Sequence, residues 1–214
     1  MKPVVLCILD GVGWGQRDDG DAVYTAQTPN LDRLQKEYPW VLLNAHGTAV
    51  GMPSDDDMGN SEVGHNAMGA GRIFAQGAKL VRESFASGNI WKSPVWSKIQ
   101  EHSTLHLMGL LSDGNVHSHI DHLCALIKRA HQDAIETLWV HILTDGRDVG
   151  PRSALFYIET LEKTLSQCPP TYRIATGGGR MHITMDRYEA DWEMVKRGYH
   201  CHVHAQGKNV KNTI

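Results

Sequence analysis

Ser61 follows the turn Asp57-Met58-Gly59-Asn60 and precedes Glu62-Val63-Gly64-His65-Asn66-Ala67, a segment that reads as a helix. A hydroxyl at a helix start lies among unpaired backbone N–H groups, at the positive end of the helix dipole. That setting suits a phosphate or a phosphorylated serine. It also suits a nucleophile that a metal ion activates, and it equally suits a plain N-cap serine. Asp10 closes an apolar run and opens an Asp-Gly turn. A carboxylate there can reach a divalent cation in a cleft above a sheet, or can simply shape the turn. Arg147 and Asp148 follow another apolar run. The guanidinium fork matches a phosphate or carboxylate, and Asp148 can accept from a hydroxyl; an internal Arg–Asp ion pair is the alternative. Arg180 and Arg187 flank a short segment after Gly177-Gly178-Gly179. Each alone is an ordinary surface charge, but with Arg147 they can form a small anion site.

Several histidines need weighing beside these. His117, His119 and His122, with Asp121 among them, resemble a metal cluster. A helix start explains that loop more economically, and no cysteine pair accompanies it. His65 lies four residues after Ser61, on the same helix face, and reads as structural. Asn60 can hydrogen-bond a phosphoryl oxygen or form the turn. His200, His202 and His204 alternate, so a strand would put all three on one face; an ordinary exposed strand is the reading, with a metal tract as the alternative.

The elements that must position these groups follow from hydrophobic periodicity. Apolar runs at 3–9, 105–111, 137–143 and 172–175 predict buried strands, and 41–43 a short one. Helices are predicted from Thr28-Pro29-Asn30 through about Tyr38, then over 61–70, 79–86, 119–132, 153–167 and 191–197. Strands alternating with helices indicate an α/β fold, with parallel sheets flanked by helices. Sites in such sheets lie at the carboxyl ends of the strands. Asp10, His117, Arg147, Asp148 and Arg180 all fall at such ends.

Composition bounds the rest. A chain of 214 residues, 41% hydrophobic and 21% charged, is in the range of soluble globular proteins. A net charge of −3 argues against general nucleic-acid binding. No apolar run is long enough to cross a bilayer. Cys7, Cys124, Cys168 and Cys201 are scattered and read as reduced thiols, with the cytoplasm as the default location.

Five blocks in order span nearly the whole chain: LCILDGVGWG, MGNSEVGH, LHLMGLLSDGNVHSHIDHL, VHILTDGRDVGPRSA and ATGGGRMHITMDRYEADWE. Together they resemble the N-terminal portion of a cofactor-independent (2,3-bisphosphoglycerate-independent) phosphoglycerate mutase. The loop PSDDDMGNSEVGH and the segment GGGRMHITMDR are similar to one branch of that family. The resemblance implies the first piece of an alkaline-phosphatase-like metal domain at 1–76, followed by an incomplete α/β transferase domain at 77–214. It implies an isomerase of glycolysis and gluconeogenesis that interconverts 3-phosphoglycerate and 2-phosphoglycerate through a phosphoserine intermediate.

In that family Ser61 would be the nucleophile, and Asp10 and Ser61 would be ligands of one of two manganese ions. Magnesium or another divalent metal is an alternative, and no bisphosphoglycerate is needed. His117, Arg147, Asp148, Arg180 and Arg187 would hold the substrate, with Asp148 as general base or orienting group. The remaining metal ligands would lie beyond Ile214, so the chain is expected to be a fragment, inactive alone, of an enzyme that is a monomer when intact. The partners implied are 2- and 3-phosphoglycerate, with no nucleic acid and no membrane. Two rival readings are a metal-dependent phosphatase or another phosphomutase of the same superfamily, and a non-catalytic phosphoglycerate-binding piece.

Overall fold

Three parallel strands carry the interior of the molecule. A computed structural model describes residues 3–210. β1 (Thr104–Leu111), β2 (Thr137–Thr144) and β3 (Tyr172–Gly179) lie side by side in that order, both pairs parallel. The intervening helices are α6 (Ile120–Gln132) and α7 (Ala154–Leu165). Before the sheet come α1 (Ala22–Thr25), α2 (Pro29–Glu37), α3 (Ser61–Ala70), α4 (Gly77–Ser87) and α5 (Pro94–Ile99); α8 (Trp192–His204) follows it.

Alternation in β2 divides the sheet into two faces. Leu138, Val140 and Ile142 point to one side. There they meet Ile127 and Ala130 of α6 and Tyr157, Ile158 and Leu161 of α7 in one buried cluster. Burial of a side chain such as Leu138 or Leu161, each fully enclosed, contributes about 1.5–3 kcal/mol. His141 points to the opposite side. Its Nε2 is 3.0 Å from Nδ1 of His106, and its Nδ1 is 2.7 Å from the Thr176 hydroxyl. That hydroxyl is in turn 2.7 Å from Nδ1 of His202 on α8. A polar row therefore crosses all three strands and ends on a helix. Burial lowers the pKa of both His141 and His202, with the neighbouring imidazoles adding to the effect at His141.

The alternating histidines 200, 202 and 204 thus belong to a helix, not to the predicted strand. Asp191 caps that helix, accepting from Met194 N at 2.9 Å. The helix then runs to its final turn, beyond the 191–197 of the sequence reading. Strand β3 likewise runs past the predicted 172–175 through all three glycines, because the ladder to β2 continues to Gly179. The short helices α1 and α5 were not predicted. Their caps are local, with Asp21 accepting from Val23 N and Tyr24 N and Ser93 from Trp96 N. Trp96 fixes α5 to the sheet domain by donating from Nε1 to Asp133 at 2.7 Å.

The predicted strands at 3–9 and 41–43 are not strands here. Neither segment has a ladder partner among the described residues. Val4, Val5, Leu6, Val41, Leu42 and Leu43 are exposed. Periodicity finds apolar extended chain, but a strand also requires a neighbour to accept its amides.

A second small cluster of Val50, Met52 and Val63 packs beneath α3. Gly51 makes it possible: its φ is +88°, and a Cβ there would come 1.8 Å from the Phe74 carbonyl oxygen. Gln76 completes this corner, donating from its backbone N to Gly51 O at 2.9 Å and from Nε2 to Val50 O at 3.1 Å.

Candidate functional site

The carboxyl ends of the three strands meet around Asp145. β2 ends at Thr144, and the next four residues wrap back on the Asp145 carboxylate. Its Oδ1 accepts from Gly146 N at 2.9 Å, Arg147 N at 3.0 Å and Asp148 N at 3.2 Å. Ser112, just past β1, donates to Oδ2 at 2.7 Å. Arg180, just past β3, donates from Nη1 to Asp145 Oδ1 at 3.1 Å and to Asp148 Oδ2 at 2.5 Å. The Arg180 side chain is 5% exposed and that of Asp145 is fully enclosed. One carboxylate thereby ties three strand ends together.

Burial opposes ionisation of Asp145. The Ser112 hydroxyl, the Arg147 and Asp148 amides and Arg180 outweigh it and hold its pKa at about 2. Burial also works against the charge on Arg180, but its two carboxylate partners raise its pKa overall. Because the carboxyl pKa falls from its ordinary 3.8 to about 2, the unfolded chain takes up the proton first as pH drops. The stabilisation is present above about pH 4 and is lost as pH falls through about 2, amounting to about 2 kcal/mol. Denaturant unfolding of Asp145→Asn, compared with the native chain at neutral pH and near pH 3, is expected to show the shallower acid loss in the variant. Parallel losses would remove Asp145 from the acid response.

Four of the predicted substrate residues surround this centre. Nε2 of His117 lies 3.8 Å from Asp148 Oδ2, an ion pair when the imidazole is protonated. Gly114 lets the loop after β1 close on Asp148, since a Cβ there would be 2.9 Å from the Asp148 carbonyl oxygen. The Arg147 side chain is exposed beside these groups while its amide serves Asp145. Of the two arginines, Arg180 is the one paired with Asp148. Arg187 lies farther along the exposed segment after β3, its guanidinium over the Tyr188 ring at 4.7 Å from the centroid. No hydrogen bond among the described residues joins Arg187 to the others.

Asp145, Ser112 and the nearby Tyr157–Asp113 pair are absent from the residues read out of the sequence. Tyr157 donates to Asp113 at 2.6 Å, and burial together with that carboxylate pushes its pKa up to about 12. A signal existed for the aspartates: Asp113 and Asp145 both stand at a strand end before glycine, the position that drew attention to Asp10.

Asp10 and Ser61 form a separate cluster. The Ser61 hydroxyl donates to Asp10 Oδ2 at 2.8 Å across 51 residues of sequence. Asn60, not Ser61, is the N-cap of α3: its Oδ1 accepts from Val63 N at 3.0 Å. Ser61 is therefore free of capping duty and occupies the first turn. Nδ1 of His65 contacts the Ser61 carbonyl at 2.7 Å. Asp10, Asn60, Ser61 and His65 line one open concavity.

Two hard oxygen donors on an exposed concavity suit a divalent cation such as manganese or magnesium. They are fewer than such an ion requires, and no group of three or more His, Cys, Asp or Glu side chains able to hold a metal occurs among the described residues. His119 and His122 have other roles. The first accepts from Asp121 N at the start of α6, and the second stacks on Phe85. The four cysteines are free.

Residues 78–214 match the family described as BPG-independent PGAM N-terminus (iPGM_N). The chain is 53% identical over 217 residues to a Leptospira interrogans protein named "Probable 2,3-bisphosphoglycerate-independent phosphoglycerate mutase", covering 97% of this chain and 40% of that protein. It is 52% identical over 210 residues to the 2,3-bisphosphoglycerate-independent phosphoglycerate mutase of Zea mays, covering 94% and 38%. Crystal structures of Leishmania mexicana phosphoglycerate mutase at low cobalt concentration include a chain that superposes with a TM-score of 0.89 at 43% identity, covering 96% of this chain and 39% of that one. The chain thus spans about 40% of the length of these relatives. It belongs to the family of the BPG-independent phosphoglycerate mutase N-terminus.

Proposed function

We propose that this chain supplies the nucleophile and part of the substrate pocket of an enzyme that interconverts 3-phosphoglycerate and 2-phosphoglycerate without bisphosphoglycerate. The observation that carries this reading is the Ser61 hydroxyl, hydrogen-bonded to Asp10 at 2.8 Å in the first turn of α3. Its proton is engaged by the carboxylate, which leaves the oxygen lone pairs for an electrophile. The bond from Ser61 Oγ to phosphorus forms as the substrate's P–O bond breaks. The glycerate reorients, and the phosphoryl group then passes from Ser61 to the other hydroxyl. The helix N-terminus favours the negative charge of the phosphoserine.

Asp10 and Ser61 would hold a divalent cation together with ligands from outside this chain. Such an ion lowers the hydroxyl pKa and neutralises charge on the transferring group. Manganese is our first choice, and the cobalt used with the Leishmania mexicana protein belongs to the same class of divalent ion.

On the substrate side, His117, Arg147 and Arg187 present cationic or donor groups to the phosphate and carboxylate. Arg180 spends Nη1 on Asp145 and Asp148, so only the rest of its fork would serve the anion. Asp148, oriented by Arg180, receives or returns the proton of a glycerate hydroxyl. A division at 76/77 into metal-domain and transferase pieces is supported by the family match beginning at residue 78 and by α4 beginning at Gly77. A cytoplasmic, monomeric enzyme of glycolysis and gluconeogenesis completes the reading.

The test measures conversion of 3-phosphoglycerate in manganese with no added bisphosphoglycerate. A full-length mutase carrying this chain is expected to turn over. The 214-residue chain is expected to bind phosphoglycerate and show no turnover. Robust turnover by the 214-residue chain would mean that its own residues complete the metal site.

A further inference from the structure

One hydrogen bond ties the Ser61 side of the molecule to the substrate side. Asn115 Nδ2 donates to Asp57 Oδ1 at 2.6 Å, across 58 residues of sequence. Apart from the chain's own passage through Gln76 into α4, no other hydrogen bond among the described residues joins residues 3–76 to residues 77–210.

Both partners are built for this contact. The other oxygen of Asp57, Oδ2, accepts from the backbone N and the hydroxyl of Ser54, each at 2.8 Å. The Asp57 carbonyl accepts from Gly47 N at 3.0 Å. The carboxylate is thus aimed by its own loop before it meets Asn115. Asn115 has a φ of +56°, a left-handed conformation that asparagine tolerates better than most residues. Burial opposes the charge on Asp57, but the bonds from Asn115 and Ser54 and the field of Arg82 outweigh it, and its pKa is lowered. Asp57 stands four residues before Ser61, and Asn115 stands two before His117.

We propose that Asp57 and Asn115 act as positioning residues, a clip that sets the Ser61 loop in register with the loop that carries His117. Its functional half rests on the phosphoserine reading above. A nucleophile and an anion pocket on separate pieces of chain must be aligned to within a fraction of an ångström for transfer, so a loosened clip lowers the rate of transfer.

The chemistry of the pair gives a reciprocal test. Asn115→Asp sets two carboxylates face to face. Asp57→Asn alone is tolerated, because the Asn115 amide can turn and accept. In the double variant Asp57→Asn with Asn115→Asp, the new amide accepts from Ser54 and donates to the new carboxylate, which restores the bond in reverse. Hydrogen exchange on the 214-residue chain is expected to speed up about tenfold at residues 54–60 and 113–117 in Asn115→Asp, and to return to native rates in the double variant. Amides of β1–β3 should keep native rates in every variant. If Asn115→Asp loosens those strands as well, Asn115→Ala removes the donor without adding charge and is expected to show the same local effect, weaker.

In a full-length mutase carrying this chain, kcat is expected to fall about tenfold in Asn115→Asp with an unchanged thermal midpoint, and to recover in the double variant. Native exchange and native kcat in Asn115→Asp, or a double variant as impaired as Asn115→Asp, would overturn the clip. If the unmodified full-length protein shows no mutase turnover, the Ser61 reading fails, and the exchange rates alone decide the clip.

Discussion

Ser61→Ala, made in a full-length mutase carrying this chain, is expected to lower turnover by at least about 10⁴-fold. Phosphoglycerate affinity should stay within about threefold, because the cationic side chains supply ground-state binding while the serine supplies bond-making. The structure makes this variant unusually easy to interpret. A serine that caps a helix would carry a folding cost on replacement, typically about 1 kcal/mol. Here that role belongs to Asn60, whose Oδ1 accepts from Val63 N, so alanine in the first turn leaves α3 intact. Two measurements check it: kcat alongside calorimetric substrate affinity, and recovery of labelled phosphate on Ser61 of the native protein only. Near-normal turnover in the variant would reduce Ser61 to a partner of Asp10.

Arg180→Ala is expected to destabilise the chain by about 3–5 kcal/mol. The guanidinium is buried against Asp145 and Asp148, and its removal strands two carboxylates at the sheet end. A surface arginine would cost a few tenths of a kcal/mol, roughly, so the two roles are well separated in magnitude. Thermal midpoints should fall by about 10 °C. Arg180→Lys should recover only part of this, because a single ammonium replaces a planar fork that reaches two carboxylates. A loss under about 1 kcal/mol for Arg180→Ala would mean that water compensates the carboxylates and that the pairs do not hold the strand ends together.

How far the sequence discloses this molecule depends on where its contacts lie. The β1–α6–β2–α7–β3 unit was legible because each element announces itself by local periodicity and strands alternate regularly with helices. The register of His117, Arg147 and Arg180 at one sheet edge followed from topology alone. The N-terminal strands were over-read, because residues 3–9 carry the apolar pattern of a strand but have no ladder partner among the described residues. His200, His202 and His204 were misread because a period of two over three residues cannot outweigh the cap at Asp191 and the helix that follows it. Asp145 was missed for another reason: its significance comes from Ser112 and Arg180, which are 33 and 35 residues away. Asp57 and Asn115 were hidden in the same way. Long-range polar pairs have no sequence periodicity to betray them.

The row from His106 to His202 has a consequence for where its protons can sit. With His141 and His202 neutral, each ring has one N–H and one lone pair, and every link needs one donor and one acceptor. If His106 Nδ1 donates, His141 is the Nδ1–H tautomer, and a Thr176 hydroxyl that passes the relay on points to His202, which then carries its hydrogen on Nε2. If His106 accepts, all of these assignments reverse together. His202 Nε2 is buried with no partner among the described residues. An orphaned buried N–H is rarer, and costs more, than an orphaned lone pair. The second arrangement is therefore favoured: His202 donates to Thr176, Thr176 to His141, and His141 to His106. Where the Thr176 hydroxyl donates to one ring and accepts from the other, the far end of a helix dictates the tautomer of a ring on the opposite edge of the sheet, and the rings change tautomer together.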